Sequence, residues 1–144
     1  MPEHRNSERL TRRLKSIMLW TDLGFLAYWI ATAAGIVSVD GGAVMQDWNW
    51  SFLGLDLFAI STGLASILMS RRGHPAGHGL MLVSLALTSA AGLMAVNFWA
   101  IRGEFDPAWW APNLWLFLFP VIALALLLRS SAAGLAGDSR SSSV

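Results

Sequence analysis

Cysteine is absent from the 144 residues, so neither disulfides nor thiolate metal sites contribute, and the redox compartment is left open. Charge is scarce: Asp, Glu, Lys and Arg make up 13% of the chain, against about 25% in an ordinary soluble domain. Stretches of ~10 residues with alternating polarity are missing, which excludes a closed membrane barrel. There is no Gly-rich phosphate loop and no Ser/His/Asp or Cys/His arrangement, and the basic residues are not grouped as a nucleic-acid surface. His74 and His78 have the spacing of a helical metal pair. Pro75 and the glycines around them break the helix such a pair needs, so no metal and no cofactor are expected.

Apolar residues are plentiful at 55%, and they gather into four blocks, each able to supply the ~20 residues a helix needs to cross the hydrocarbon core. The blocks lie near 16–39, 51–70, 79–101 and 112–129. The fold expected is all-α: an integral membrane four-helix antiparallel bundle over residues 16–129, preceded by a basic segment (1–15) and followed by a disordered tail (130–144).

Of the ten Lys and Arg residues, Arg102 alone falls between the third and fourth blocks; the others precede the first, join the second to the third, or follow the fourth. The positive-inside rule then puts both termini in the cytoplasm and makes the chain a multi-pass protein of the cell (cytoplasmic) membrane. The first block follows a basic segment and ends near "ATAAG", as a signal peptide would, but it is too long and contains Asp22, which favours an uncleaved anchor. The segment "SERLTRRLK" serves as a topology signal or lies as a short helix on the inner leaflet.

Two carboxylates sit inside spans. Asp22 is about six residues from the inner start of span one and Asp56 about six from the outer start of span two, each roughly 9 Å deep at 1.5 Å per residue. Neither side chain is long enough to reach the interface, so each must face other helices or a water-filled pocket, or carry a proton. Helical spacing puts Phe25, Leu26 and Trp29 on the Asp22 face, and Asn49, Phe52, Ile60 and Gly63 on the Asp56 face. In span three, Ser84, Thr88, Ala91 and Ala95 form a small-residue stripe that permits close helix approach, which predicts the most buried helix. Asn97 and Asn113 lie at about the depth of Asp56 and are expected to form a polar cluster with it.

Eight tryptophans are many for this length, and six of them (Trp48, Trp50, Trp99, Trp109, Trp110, Trp115) fall near the outer interface. An aromatic belt at the headgroups explains that placement more simply than a ligand cage. Trp29, beside Tyr28 near mid-membrane, needs a partner for its N–H, which Asp22 or a ligand would supply. The stretch "FDPAWWAPN" reads as a loop capping the outer mouth, and Pro120 as a kink or cavity in span four.

The stretches "TDLGFLAYW", "DWNWSFLGLDL", "GLMAVNFWAI" and "FDPAWWAPNLWLFLFP" together resemble the YvaD-like family of small four-span bacterial membrane proteins, over nearly the whole chain. That resemblance implies the architecture and brings no established activity. Asp56 after an aromatic stretch and the ending "PNLWLFLFPVIALALLLR" are more loosely similar to the EXPERA group of sterol isomerases and sigma-2-receptor-like proteins. This similarity implies an acidic, Trp-lined pocket for an amphipathic ligand. The histidine of an isomerase pocket has no counterpart within the spans.

The function expected is a binding bundle. Asp56, Asn97 and Asn113 would hold the polar or cationic end of a hydrophobic molecule and Trp50, Trp99 and Trp115 would stack on its body, with Asp22, Tyr28 and Trp29 as further contacts. Three alternatives remain open: a protonated Asp56 isomerising or cyclising a terpenoid or sterol-like lipid, a proton-coupled transporter using Asp22 and Asp56, and an accessory membrane subunit. The partners expected are the lipid bilayer, a hydrophobic small molecule, and a second copy or a larger membrane complex; nucleic acid is not among them.

Overall fold

The computed structural model describes residues 2–37 and 42–141, and is all-α with no strand among them. The helices are α1 (Pro2–Ala33), α2 (Ala43–Ser51), α3 (Leu53–Arg71), α4 (Ala76–Arg102) and α5 (Pro107–Ser141). Phe52 joins α2 to α3 with right-handed helical dihedrals (φ −79°, ψ −20°), so the two form a near-continuous rod. Three stretches are long and apolar enough to cross a membrane: Ala43–Arg71, Ala76–Arg102 and Pro107–Ser130. By length and composition they mark a membrane protein. Among the described residues α1 falls short of that apolarity, its run diluted by Thr21, Asp22, Tyr28 and Thr32.

Several helix boundaries differ from the expected ones. The helix of the first predicted span ends at Ala33, not Val39: Gly35 takes φ +72°, its N–H donates to the Thr32 carbonyl (3.0 Å), and the Ile36 N–H donates to that of Ala31 (2.9 Å). This paired glycine stop recurs at Gly73, after α3, and at Gly103, after α4. Residues 38–40, the predicted end of that span and the loop residue Asp40, lie outside the described residues, as do 142–144 of the tail. The second span begins at Ala43 rather than residue 51, so Trp48 and Trp50 are helical.

The expected cap "FDPAWWAPN" is helical from Pro107. Asp106 Oδ1 accepts the Ala108 N–H at 2.9 Å, and proline fits the first helical position because its missing donor is not needed there. At the chain ends, α1 already begins at Pro2 and α5 continues to Ser141, where a separate basic segment and a disordered tail were expected. Extending an existing helix through Ala- and Leu-bearing sequence costs far less than nucleating one. Pro120 is fully buried inside α5.

Packing follows an arc in which α1 lies on α3, α3 on α4, and α4 on α5. Both chain ends therefore lie at one end of the bundle, and α2 lies at the other. At the terminal end a core layer of Leu14, Met18, Met81, Leu85, Phe119, Ala123 and Leu127 brings α1, α4 and α5 together. Beyond that layer α1 and α5 scarcely touch.

Helix α4 is the most buried of the three apolar helices, and Ser84, Thr88, Ala91 and Ala95 all face inward, as the small-residue stripe predicts. Gly92 continues this close approach: a Cβ there would lie 2.5 Å from the Phe117 nitrogen and 2.8 Å from the Asn113 oxygen, both backbone atoms. Gly92→Ala should therefore force α4 and α5 apart and cost roughly 1–3 kcal/mol. Gly79 has open space around it, and Gly79→Ala should gain about 0.4–1 kcal/mol. Thermal melting of the two variants in detergent checks the opposite signs.

Candidate functional site

The α1–α3 seam places both buried carboxylates, Asp22 and Asp56. Trp29 Nε1 donates to Asp56 Oδ2 at 2.9 Å in a buried bond. Seven residues back along α1 and seven forward along α3, Asp22 lies against Gly63, where a Cβ would collide with Asp22 Oδ2 and approach Ser84 Oγ to 2.9 Å. Glycine at 63 thus makes the room that the Asp22 carboxyl fills. Asp22 and Asp56 are 1% and 4% exposed. Both Asp22 oxygens and Asp56 Oδ1 have no hydrogen-bond partner among the described residues. The nearby Ser84 hydroxyl is committed to the Ala59 carbonyl (3.0 Å) and leaves Asp22 unserved.

Where α1 and α5 part, a cleft of about 800 Å³ opens on the side of the bundle. Its α1 wall carries Thr21, Gly24, Phe25, Tyr28 and Trp29; its α5 wall carries Trp109, Pro112, Asn113, Trp115 and Leu116; Ala91 and Ala95 of α4 form the back. Asp56 and Asn49 reach it at the α2 end. Asn49 Oδ1 accepts the Tyr28 hydroxyl proton at 2.7 Å, and Trp115 Nε1 donates across the cleft to Thr21 Oγ1 at 3.3 Å. A volume in this range suits a drug-sized ligand, and the surface is apolar apart from these few polar groups.

The expected site residues divide. Asp56, Tyr28, Trp29, Asn113 and Trp115 line the cleft. Asn113 Nδ2 donates to the Trp109 carbonyl of its own helix (2.7 Å), and Trp115 stacks on Phe119 with ring centroids 5.3 Å apart. Asn97 is exposed on the far side of α4 and does not join Asp56. It lies two residues past the inward-facing Ala95, a rotation of about 200°, so equal depth did not mean equal face. Trp50 is exposed and packs on Trp29 at 5.5 Å, outside the cleft. Asp22 and Trp99 are buried elsewhere, and the partner of Trp29 is Asp56, not Asp22.

Four of the tryptophans expected near the outer interface pack in one cluster. Trp48 stacks on Phe98 at 4.0 Å and Trp99 on Trp109 at 5.9 Å, and Met45 and Trp110 complete the cluster. This aromatic plug closes the α2 end of the bundle.

The match to known proteins covers the same helices. A family model described as a family of unknown function, DUF5360, matches residues 14–133. The chain belongs to that family. It is 34% identical over 124 residues to an uncharacterised protein, YvaD, of Bacillus subtilis strain 168, covering 82% of this chain and 93% of that protein. No solved structure matches. Within this DUF5360 chain the matched region takes in the seam, the cleft and the aromatic plug, and leaves out most of the basic start of α1.

Site residues missed by sequence reasoning are Asn49, Thr21, Gly24 and Trp109. Asn49 was legible in part, since it falls on the Asp56 face once the helix is extended back to Ala43. Removing the indole N–H with Trp29→Phe should leave Asp56 Oδ2 unbonded and cost roughly 1–3 kcal/mol. Combined with Asp56→Leu, the loss should be less than additive by about 0.5–3 kcal/mol. A double-mutant cycle of melting in detergent measures that coupling.

Proposed function

We propose that the chain is a four-span protein of the cell membrane, with both termini in the cytoplasm, whose lateral cleft binds a hydrophobic molecule with a hydrogen-bond-donating or cationic end. The observation that carries this reading is Asp56, which lines a largely apolar cleft and whose buried Oδ1 has no hydrogen-bond partner among the described residues. An unbonded buried acceptor costs roughly 1–3 kcal/mol, which a donor on the ligand would offset. Tyr28, Trp29 and Trp109 supply ring faces for its body or for a cation. Because the cleft opens between α1 and α5, the route from the lipid is sideways. Asn49, Tyr28 and Asn113 replace Asn97 as the polar neighbours.

Packing supports α1 as the fourth span, since Leu14, Met18, Asp22, Phe25 and Trp29 are all buried against the other helices. The charge distribution supports the orientation. Arg102, the one basic residue at the α2 end, is held by Glu104 at 2.6 Å, while the other nine lie at the terminal end. Because the chain has no cysteine, Glu104→Cys and Ser139→Cys each introduce a single thiol. In intact cells an impermeant maleimide should label Glu104→Cys and leave Ser139→Cys unlabelled until lysis; the reverse pattern would invert the orientation.

Native mass spectrometry with organic extraction tests the cleft. Wild type and Asn97→Ala should carry the same discrete hydrophobic molecule. Asp56→Asn, which keeps an acceptor for Trp29, should lose it about tenfold or more. So should Gly24→Leu, which fills open cleft space. Bulk phospholipid alone on all four proteins, with similar melting temperatures, would sink the reading.

A further inference from the structure

A second recess, of about 350 Å³, lies between α1 and α3 at the terminal end and shares no lining residue with the cleft. On α1 it is lined by Arg12, Lys15, Ser16 and Leu19, at the spacing of a single helical face; on α3 it is lined by Ile67, Ser70 and Arg71. Three cations and two hydroxyls from two helices thus converge on one small space. No carboxylate lines it, and none of the three cations is in an ion pair among the described residues.

The recess gathers positive charge with no carboxylate on its walls; Lys15 is half-buried there, and partial desolvation, with no counter-ion to offset it, lowers its pKa. Such a site attracts an anion. The apolar pair, Leu19 and Ile67, lies one turn further from the chain termini than Lys15, Ser16, Ser70 and Arg71. Polar groups at the water side and apolar groups at the membrane side match a phosphate with an acyl chain attached, and basic pockets between spans at the cytoplasmic face take such headgroups.

We propose that this recess binds the phosphate of an anionic lipid headgroup from the cytoplasmic leaflet, with Arg12, Lys15 and Arg71 as its cations and Ser16 and Ser70 as its hydroxyl donors. The leaflet rests on the orientation proposed above; the site does not depend on the cleft being occupied. A lipid held there ties α1 to α3 at the end where the charged start of α1 enters the membrane. It differs from a diffuse basic surface because neighbouring cations on the same helices, Arg13 and Arg72, do not line it.

The test is a titration of the full-length protein in neutral detergent, with bound adducts counted by native mass spectrometry. Three probes are used: phosphatidylglycerol, phosphatidylcholine and inorganic phosphate. Phosphatidylglycerol should give one retained adduct, at least tenfold tighter than phosphatidylcholine. Lys15→Gln and Arg71→Gln should each weaken it about fivefold and together more than twentyfold, as roughly 1 kcal/mol per cation implies. Arg13→Gln and Arg72→Gln should change it less than twofold. Equal retention of the two lipids, or equal loss in the control variants, overturns the site. Inorganic phosphate binding as tightly, with the same dependence on Lys15 and Arg71, overturns the assignment to a lipid. Melting temperatures recorded without lipid separate loss of binding from loss of fold.

Discussion

Few interactions in this molecule have as little freedom to move as the bond from the Trp29 indole to Asp56. A carboxyl group in an apolar bundle needs a donor, an indole N–H needs an acceptor, and each finds the other across one helix seam. The same seam is fixed again one heptad away, where Gly63 admits Asp22. A third rung at the same interval faces Lys15 toward Ser70 across the basic recess. Rotating α1 by one residue would turn it about 100°, break the bond and drive Asp22 out of its notch. The position of α1 is therefore set by polar and steric register more than by apolar burial, which is why the least apolar of the long helices can still belong to the bundle.

From that register the cleft follows. With α1 committed to α3, and α5 drawn tightly onto α4 at Gly92, no helix remains to fill the space between α1 and α5. The terminal core layer closes one end and the Trp48, Trp99 and Trp109 plug closes the other. What is left open is a lateral window that Asp56 helps to line. A Pro at 112 and another at 120 deprive α5 of backbone donors near that window, and the Leu116 carbonyl, four residues before Pro120, loses its helical partner.

Much of this was legible in the sequence, by period and by charge. Helical spacing picked out the buried stripe of Ser84, Thr88, Ala91 and Ala95, the Asp56 face back to Asn49, and the importance of Trp29. The failures share one cause: depth along a helix can be counted, but direction around it must be referred to a known buried residue. Asn97 was placed with Asp56 by depth alone and faces the opposite way. The mutual packing of Trp99 and Trp109 is likewise a matter of direction that depth alone does not give. Boundaries failed for a different reason. Gly35, Gly73 and Gly103 stop three helices with the same pair of backbone bonds, a signal present in the sequence and overshadowed by hydropathy, whereas the tail of α5 gained helix by simple propagation.

The arc of neighbours follows the order of the chain, so the two walls of the cleft are its first and last helices. During synthesis α1 and α4 can each dock on α3 while the sequence of α5 is still being made. The rungs of the seam are therefore in place before the cleft has its second wall, and that wall arrives with Trp109, Pro112 and Trp115 leading. A chain shortened from its C-terminal side would keep the Trp29 to Asp56 bond and lose the enclosure around it. The order of the chain thus allows the scaffold to assemble before the cavity is enclosed.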